Sequence, residues 1–433
     1  MKRKNVTVLL VVVMCCLNVF VGCQKQKSEE VKTVSKNDVS DKKILEYWTM
    51  WNETEIQGQV IKEAVDDFMK INPDIQVNIT WCGREIRKTL QPALDKKEAV
   101  DIWDEDVERV VKNWGDYTLS LDDYVKKPYP TTEGKAYEEC INYNLMNLIK
   151  VFSDDSTLKA IPYQAYITSF MYNKDHFIDA GITETPKTWE EFLVVCEKLK
   201  AKGHTPLTTD DAYADALIGY HLSRIKGYEW VEELVADESK AMWDDEAVLR
   251  MAEDYEHLAS QGYFSKNIDS NIWPAGQQEV ASGDVTMYVN GSWLPNEVLG
   301  TTGPDFNWGQ FSYPAVKDGV ETIGNLNFGS QCYAINKECE YPEEAFRLIA
   351  HITTGEWDEK LAASSMGMPS SNDANWPIQL QEAKGVLENA TEWNPYGCGI
   401  SSNIDLAPTI ISNFQKLMSG ELTAERFIEE MKK

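Results

Sequence analysis

Ile44 to Trp48 form a short apolar run that reads as a strand, and a polar loop follows it. Beyond the loop, Ile56, Val60, Ile61, Ala64, Val65, Phe68 and Met69 recur at helical spacing, and Asn72-Pro73 ends that helix. Ile75, Val77 and Ile79 then alternate with polar residues, as a strand with one buried face does. Strand, helix and strand in this order predict a βαβ unit and a parallel sheet. A second unit begins at Ala160-Ile161 and continues through Phe170-Met171-Tyr172. The helix after it starts legibly: Thr188 caps it, and Glu191, three residues on, reaches back as in a capping box. Trp189, Phe192, Leu193, Cys196 and Leu199 make its apolar face, and Gly203 stops it. Further helices fit Glu246 to Ser260, Pro342 to Thr353 with proline in the first turn, and Thr423 to Met431. No internal repeat and no low-complexity segment follows Lys43.

The N-terminus departs from this alternation. Lys2, Arg3 and Lys4 precede an apolar stretch from Val6 to Val21, and Gly22 stands before Cys23, which is the layout of an export signal. The stretch contains Thr7 and Asn18 and falls short of the roughly 20 apolar residues that a spanning helix needs. Gln24 to Lys43 carry no aromatic residue and no Leu or Ile before Ile44, so this segment predicts a flexible tether.

Charge narrows the partners. The formal net charge is −28, and loss of Lys2, Arg3 and Lys4 with the signal gives −28 − 3 = −31. A field of that sign repels nucleic acid and bare anionic lipid. The remaining chain of about 410 residues exceeds what one core organises, which predicts two lobes. Cys15 and Cys16 lie in the signal, leaving Cys82, Cys140, Cys196, Cys332, Cys339 and Cys398 besides Cys23. Their spacing forms no compact disulfide framework, and Cys196 sits on an apolar helix face as a small hydrophobe. Cys332 and Cys339 are placed to flank a strand.

Catalytic and metal motifs are absent. There is no Gly-x-Ser-x-Gly, His-Glu-x-x-His, Gly-x-Gly-x-x-Gly or phosphate loop, and the five histidines are scattered singly. Asp101, Asp104 and Asp106 cluster, but no glycine takes the sixth place of an EF-hand loop. No catalytic residue, metal site or cofactor is therefore expected.

Phe20-Val21-Gly22-Cys23 resembles a bacterial lipobox, with Phe20 where Leu is usual and Val21 where a small residue is usual. The resemblance implies that Cys23 is lipidated and becomes the mature N-terminus, held at a membrane by its acyl chains. Several further stretches, in order, resemble the extracellular sugar-binding proteins of the family that includes maltose-binding protein. They are Glu46 to Asn52, Asp101-Ile102-Trp103, Ala160-Ile161-Pro162-Tyr163 with Met171 to Phe177, Gly181-Ile182, Pro186 and Thr188 to Phe192. Gly283 to Trp293, with Met287 before the Gly291-Ser292-Trp293 turn, and Gly367-Met368-Pro369 complete the series. Val280 stands where the family often has Phe.

This resemblance implies an α/β, two-lobe periplasmic-binding-protein-like fold with a hinge between lobes and a central ligand cleft. Residues 1–22 are expected to be the signal and 23–43 the lipidated cysteine and linker. Residues 44–157 and 336–375 are expected to form lobe I, and residues 158–335 and 376–433 lobe II. The implied role is an ABC importer's binding subunit: monomeric, extracellular and lipid-anchored, it delivers a carbohydrate to membrane permease subunits. Sugar rings present C–H faces and a rim of hydroxyls, so a site needs aromatic surfaces and fixed polar groups. With 14 Trp and 11% aromatic residues the chain is well supplied. Trp51, Trp103, Trp293 and Trp393 are the stacking candidates, with Gly291 and Ser292 in the turn before Trp293. Asn52, Asp104, Glu105, Asn325 and Asn327 are the polar candidates, and Tyr163 joins them. For each Trp the competing role is core packing, and for each carboxylate a solvated surface; Trp189 is expected to be structural. A secreted carbohydrate-active hydrolase, or a binder of peptide, polyol or metal complex on the same fold, are the alternative functions.

Overall fold

The computed structural model describes residues 42–433; Cys23 and nearly all of the expected signal and tether segments lie outside the described residues. Nine strands make one mixed sheet: β1 (Lys43–Thr49), β2 (Ile75–Trp81), β3 (Ile102–Asp106), β4 (Ile161–Asn173), β5 (Thr205–Thr208), β6 (Val285–Gly291), β7 (Trp308–Phe311), β8 (Asn325–Ile335) and β9 (Glu392–Trp393). The main order is β2-β1-β3-β8-β4-β6-β5, with β7 paired to β4 and β9 to β8.

The first βαβ unit forms as its periodicity dictates. β1 and β2 pair in parallel, with Leu45 opposite Val77, and the helix Ile56–Ile71 between them buries Val60, Ile61, Ala64, Val65 and Phe68. It stops before Asn72, whose backbone N–H and side-chain amide both donate to the Phe68 carbonyl. The helix Trp189–Ala201 begins with the expected capping box, both halves present. Thr423 caps the last helix, Ala424–Met431, and Pro342 opens Pro342–Thr353.

The apolar residues divide between two cores. β1–β3 and the helices Ile56–Ile71 and Pro342–Thr353 enclose the first. Helices Trp189–Ala201, Ala214–Lys226, Glu246–Ser260 and Ala407–Met418 enclose the second, together with Phe170 and Tyr172 of β4 and Met287 and Val289 of β6. β4 therefore belongs to both: Ile161 to Ile167 pack in the first core and Phe170 and Tyr172 in the second. Its 13 residues make one continuous strand, interrupted by a bulge at Gln164, where φ is 44° and the register against β8 shifts. β8 pairs antiparallel with both β3 and β4.

Trp189 is buried and stacked on Phe192 at 5.1 Å, as expected of a structural residue. The six described cysteines are free thiols; Cys332 lies within β8 and Cys339 beyond its end. The helix Ala214–Lys226 gives no amphipathic signal because every residue from Ala214 to Ile225 is buried. Within it Arg224 is fully buried, paired with Glu321 at 2.9 Å and donating to the carbonyls of Tyr313 and Asn325.

Candidate functional site

The C-terminal end of β3 and the short helical segment Arg109–Asn113 after it supply Asp106, Glu108, Arg109 and Asn113 to one cavity of about 530 Å³. Arg87, in the first turn of the helix Ile86–Asp95, stands beside them. Tyr166 of β4 and Gln331 of β8 form the floor, and Trp293 and Tyr396, from the turns after β6 and β9, close the wall. The antiparallel registers set Gln331 opposite both Asp106 and Tyr163, so three strands converge at this point.

Each polar group is held from behind. Tyr166 donates its hydroxyl to Asp106 Oδ2 at 2.7 Å, and the Glu108 backbone N–H donates to Oδ1 at 3.0 Å. Burial raises the Asp106 carboxyl to about 6 against those bonds. Glu105 is fully buried, accepts Arg87 Nε at 2.6 Å and is ion-paired with Arg109, Nε to Oε2 at 3.3 Å. Gln331 Oε1 is buried without a partner. Trp293 donates its indole N–H to the Tyr213 hydroxyl at 3.2 Å and meets Tyr166 edge-on at 5.6 Å. Its ring folds over Gly291, where a Cβ would fall 2.3 Å from the indole, so only glycine permits the pose. Ser292 anchors the same turn: its N–H donates to the Ile167 carbonyl at 2.9 Å. Aromatic faces, an anchored carboxylate and an unpartnered amide around an open cavity suit a polyhydroxylated ring.

A family model of the bacterial extracellular solute-binding proteins matches residues 63–386. The chain belongs to this family. The multiple sugar-binding protein of Streptococcus mutans is 24% identical over 349 residues, covering 77% of this chain and 74% of that one. Among solved structures, a chitin oligosaccharide binding protein superposes with a TM-score of 0.62 at 21% identity, covering 90% of this chain and 98% of that one. RafE in complex with raffinose superposes with a TM-score of 0.64 at 19% identity, covering 90% and 97%. At these identities the structural likeness is one of fold, the two-lobed fold of solute-binding proteins.

In this solute-binding protein the other expected site residues are placed differently from Trp293. Trp103 is fully buried in the first core. Asp104 lies just beneath the cavity, sealed from solvent, and accepts bonds from Tyr47, Thr49, Tyr163 and the Met50 N–H. Burial raises its carboxyl to about 6. Trp51 donates to the Tyr163 hydroxyl at 2.8 Å, with the Arg84 guanidinium 4.6 Å over its ring. Asn52 is exposed and caps locally on Glu55. Asn325 and Trp393 line a second cavity of about 560 Å³ with Tyr228, Phe328 and Asn394. Asn327 is buried, its amide spent on Thr168 and the Asn394 carbonyl. The residues missed from sequence are Arg87, Asp106, Glu108, Arg109, Asn113, Tyr166, Gln331 and Tyr396. Asp106, Glu108 and Arg109 adjoin the quoted Asp101-Ile102-Trp103 stretch and were findable there; Tyr166 and Gln331 are brought in only by strand register.

Proposed function

We propose that this protein captures a carbohydrate, an oligosaccharide in the first instance, in the cavity between Trp293 and Asp106, and delivers it to ABC-transporter permease subunits. The observation that carries the reading is the half-buried Trp293, fixed by Gly291 and Tyr213 at the cavity wall, facing the carboxylate of Asp106 and the free amide of Gln331. Relatives named for multiple sugars, chitin oligosaccharide and raffinose support a sugar as the ligand class. In this reading residues 44–157 with 336–375 and residues 158–335 with 376–433 move as two lobes, with β4 and β8 as the connecting strands. Closure brings surfaces of both lobes together, and the permease reads that joined patch. Cys23 carries lipid, which retains a monomeric protein at the outer face of the membrane. In this reading the protein binds rather than hydrolyses, in line with the solute-binding family to which it belongs.

A thermal-shift screen of oligosaccharides against peptides and polyols tests the ligand class. The expected result is a rise in melting temperature with sugars alone, and no new reducing ends after prolonged incubation. A rise with peptides alone, or release of reducing ends, refutes the reading.

A further inference from the structure

Glu105 offers one buried carboxylate to two guanidinium groups. Arg87 and Arg109 each touch it through Nε, and both side chains remain about two-fifths exposed, at 40% and 43%, on the wall of the Trp293 cavity. Among the described residues neither guanidinium is paired with any other residue, which leaves its Nη groups available to a ligand in the cavity that both side chains line. The neighbouring carboxylates pair with other groups and not with these arginines. Asp106 is occupied by Tyr166 and the Glu108 N–H, and Glu108 pairs with Lys112 at 3.2 Å. The two guanidinium groups therefore stand at a cavity whose wall also carries Asp106 and Glu108, in a molecule of net charge −28. A guanidinium anchored at Nε presents its two Nη groups as a rigid fork, the geometry that binds a carboxylate or phosphate through two parallel hydrogen bonds.

We infer that the cleft selects an acidic saccharide, one carrying an oxyanion that sits on the Nη edges of Arg87 and Arg109 while a sugar ring packs on Trp293. This inference rests on the sugar-binding reading and narrows it. Neutral sugars satisfy such donors with hydroxyls, each a weaker acceptor than a carboxylate oxygen, so discrimination follows from charge as well as from geometry. The oxyanion is the carboxylate of a uronic acid or the ester phosphate of a sugar phosphate, and the two are separable by assay.

The test uses the purified full chain and three panels: uronic-acid oligosaccharides, hexose phosphates and the matched neutral oligosaccharides, titrated by calorimetry at two salt concentrations. An acidic sugar should bind at least about tenfold tighter than its neutral counterpart, with the margin shrinking as salt rises. The phosphate and uronate panels show which oxyanion is taken. Arg109→Gln, which leaves the Arg87–Glu105 pair intact, should reduce that margin severalfold, the acidic sugar losing more affinity than its neutral counterpart. Neutral sugars binding as tightly as acidic ones overturn the inference and leave the sugar-binding reading standing. If Arg109→Gln lowers the unliganded melting temperature without changing the margin, the arginines only support Glu105 and the inference is overturned. Absence of binding by every panel refutes the sugar reading and the inference together.

Discussion

Asp104 carries four hydrogen-bond donors and is fully buried, and burial outweighs them to place its carboxyl at about 6. A folded-state value above the unfolded 3.8 means that the folded state binds the proton more tightly. Asp104 therefore favours folding most below about pH 4, and its contribution falls as pH rises through about 6. Comparing wild type with Asp104→Asn isolates this group. Between about pH 4 and 7 the stability difference should move against wild type by about 2 kcal/mol, measured by urea unfolding. A difference independent of pH would show that Asp104 ionises normally. At this scale the turn Gly291-Ser292-Trp293 was legible as a local motif, whose glycine has a steric reason. Trp103 and Asp104 were ligand candidates in the sequence because the length of β3 is not written in its composition. The strand runs to Asp106 and turns both side chains inward, and the polar cluster reaches the cavity only at its far end.

Helix boundaries were the most legible elements, because caps are local chemistry. Thr188 accepts the Glu191 N–H at 3.3 Å while Glu191 reaches back to the Lys187 and Thr188 N–H groups. Thr188→Ala should cost about 1 kcal/mol and lower the melting temperature by a few degrees with affinity unchanged. No shift in melting temperature would mean that solvent satisfies those donors equally well. Elements buried on every side were not legible. Ala214–Lys226 has no polar face to mark a period, and the Arg224–Glu321 pair within it joins residues 97 positions apart. The Gln164 bulge was equally silent, yet it sets where Tyr166 falls relative to Asp106.

At the scale of the molecule, the two cores and the strands shared between them follow from the length of the chain and from its two clear strand–helix units. The charged start, apolar stretch and Gly22-Cys23 junction make a separate prediction about location. Cys23→Ser should move the protein from the membrane fraction to the soluble fraction once its signal has been removed. Retention on membranes after removal would disprove lipid attachment at this residue. Capture of a sugar in the cleft is the central claim, and calorimetric titration of the tightest-binding oligosaccharide into wild type and Trp293→Ala tests it most directly. Loss of the indole face should weaken binding on the order of tenfold to a hundredfold and leave the unliganded melting temperature nearly unchanged. Equal affinity in the two proteins, or unfolding of the variant without a specific loss of affinity, would contradict it.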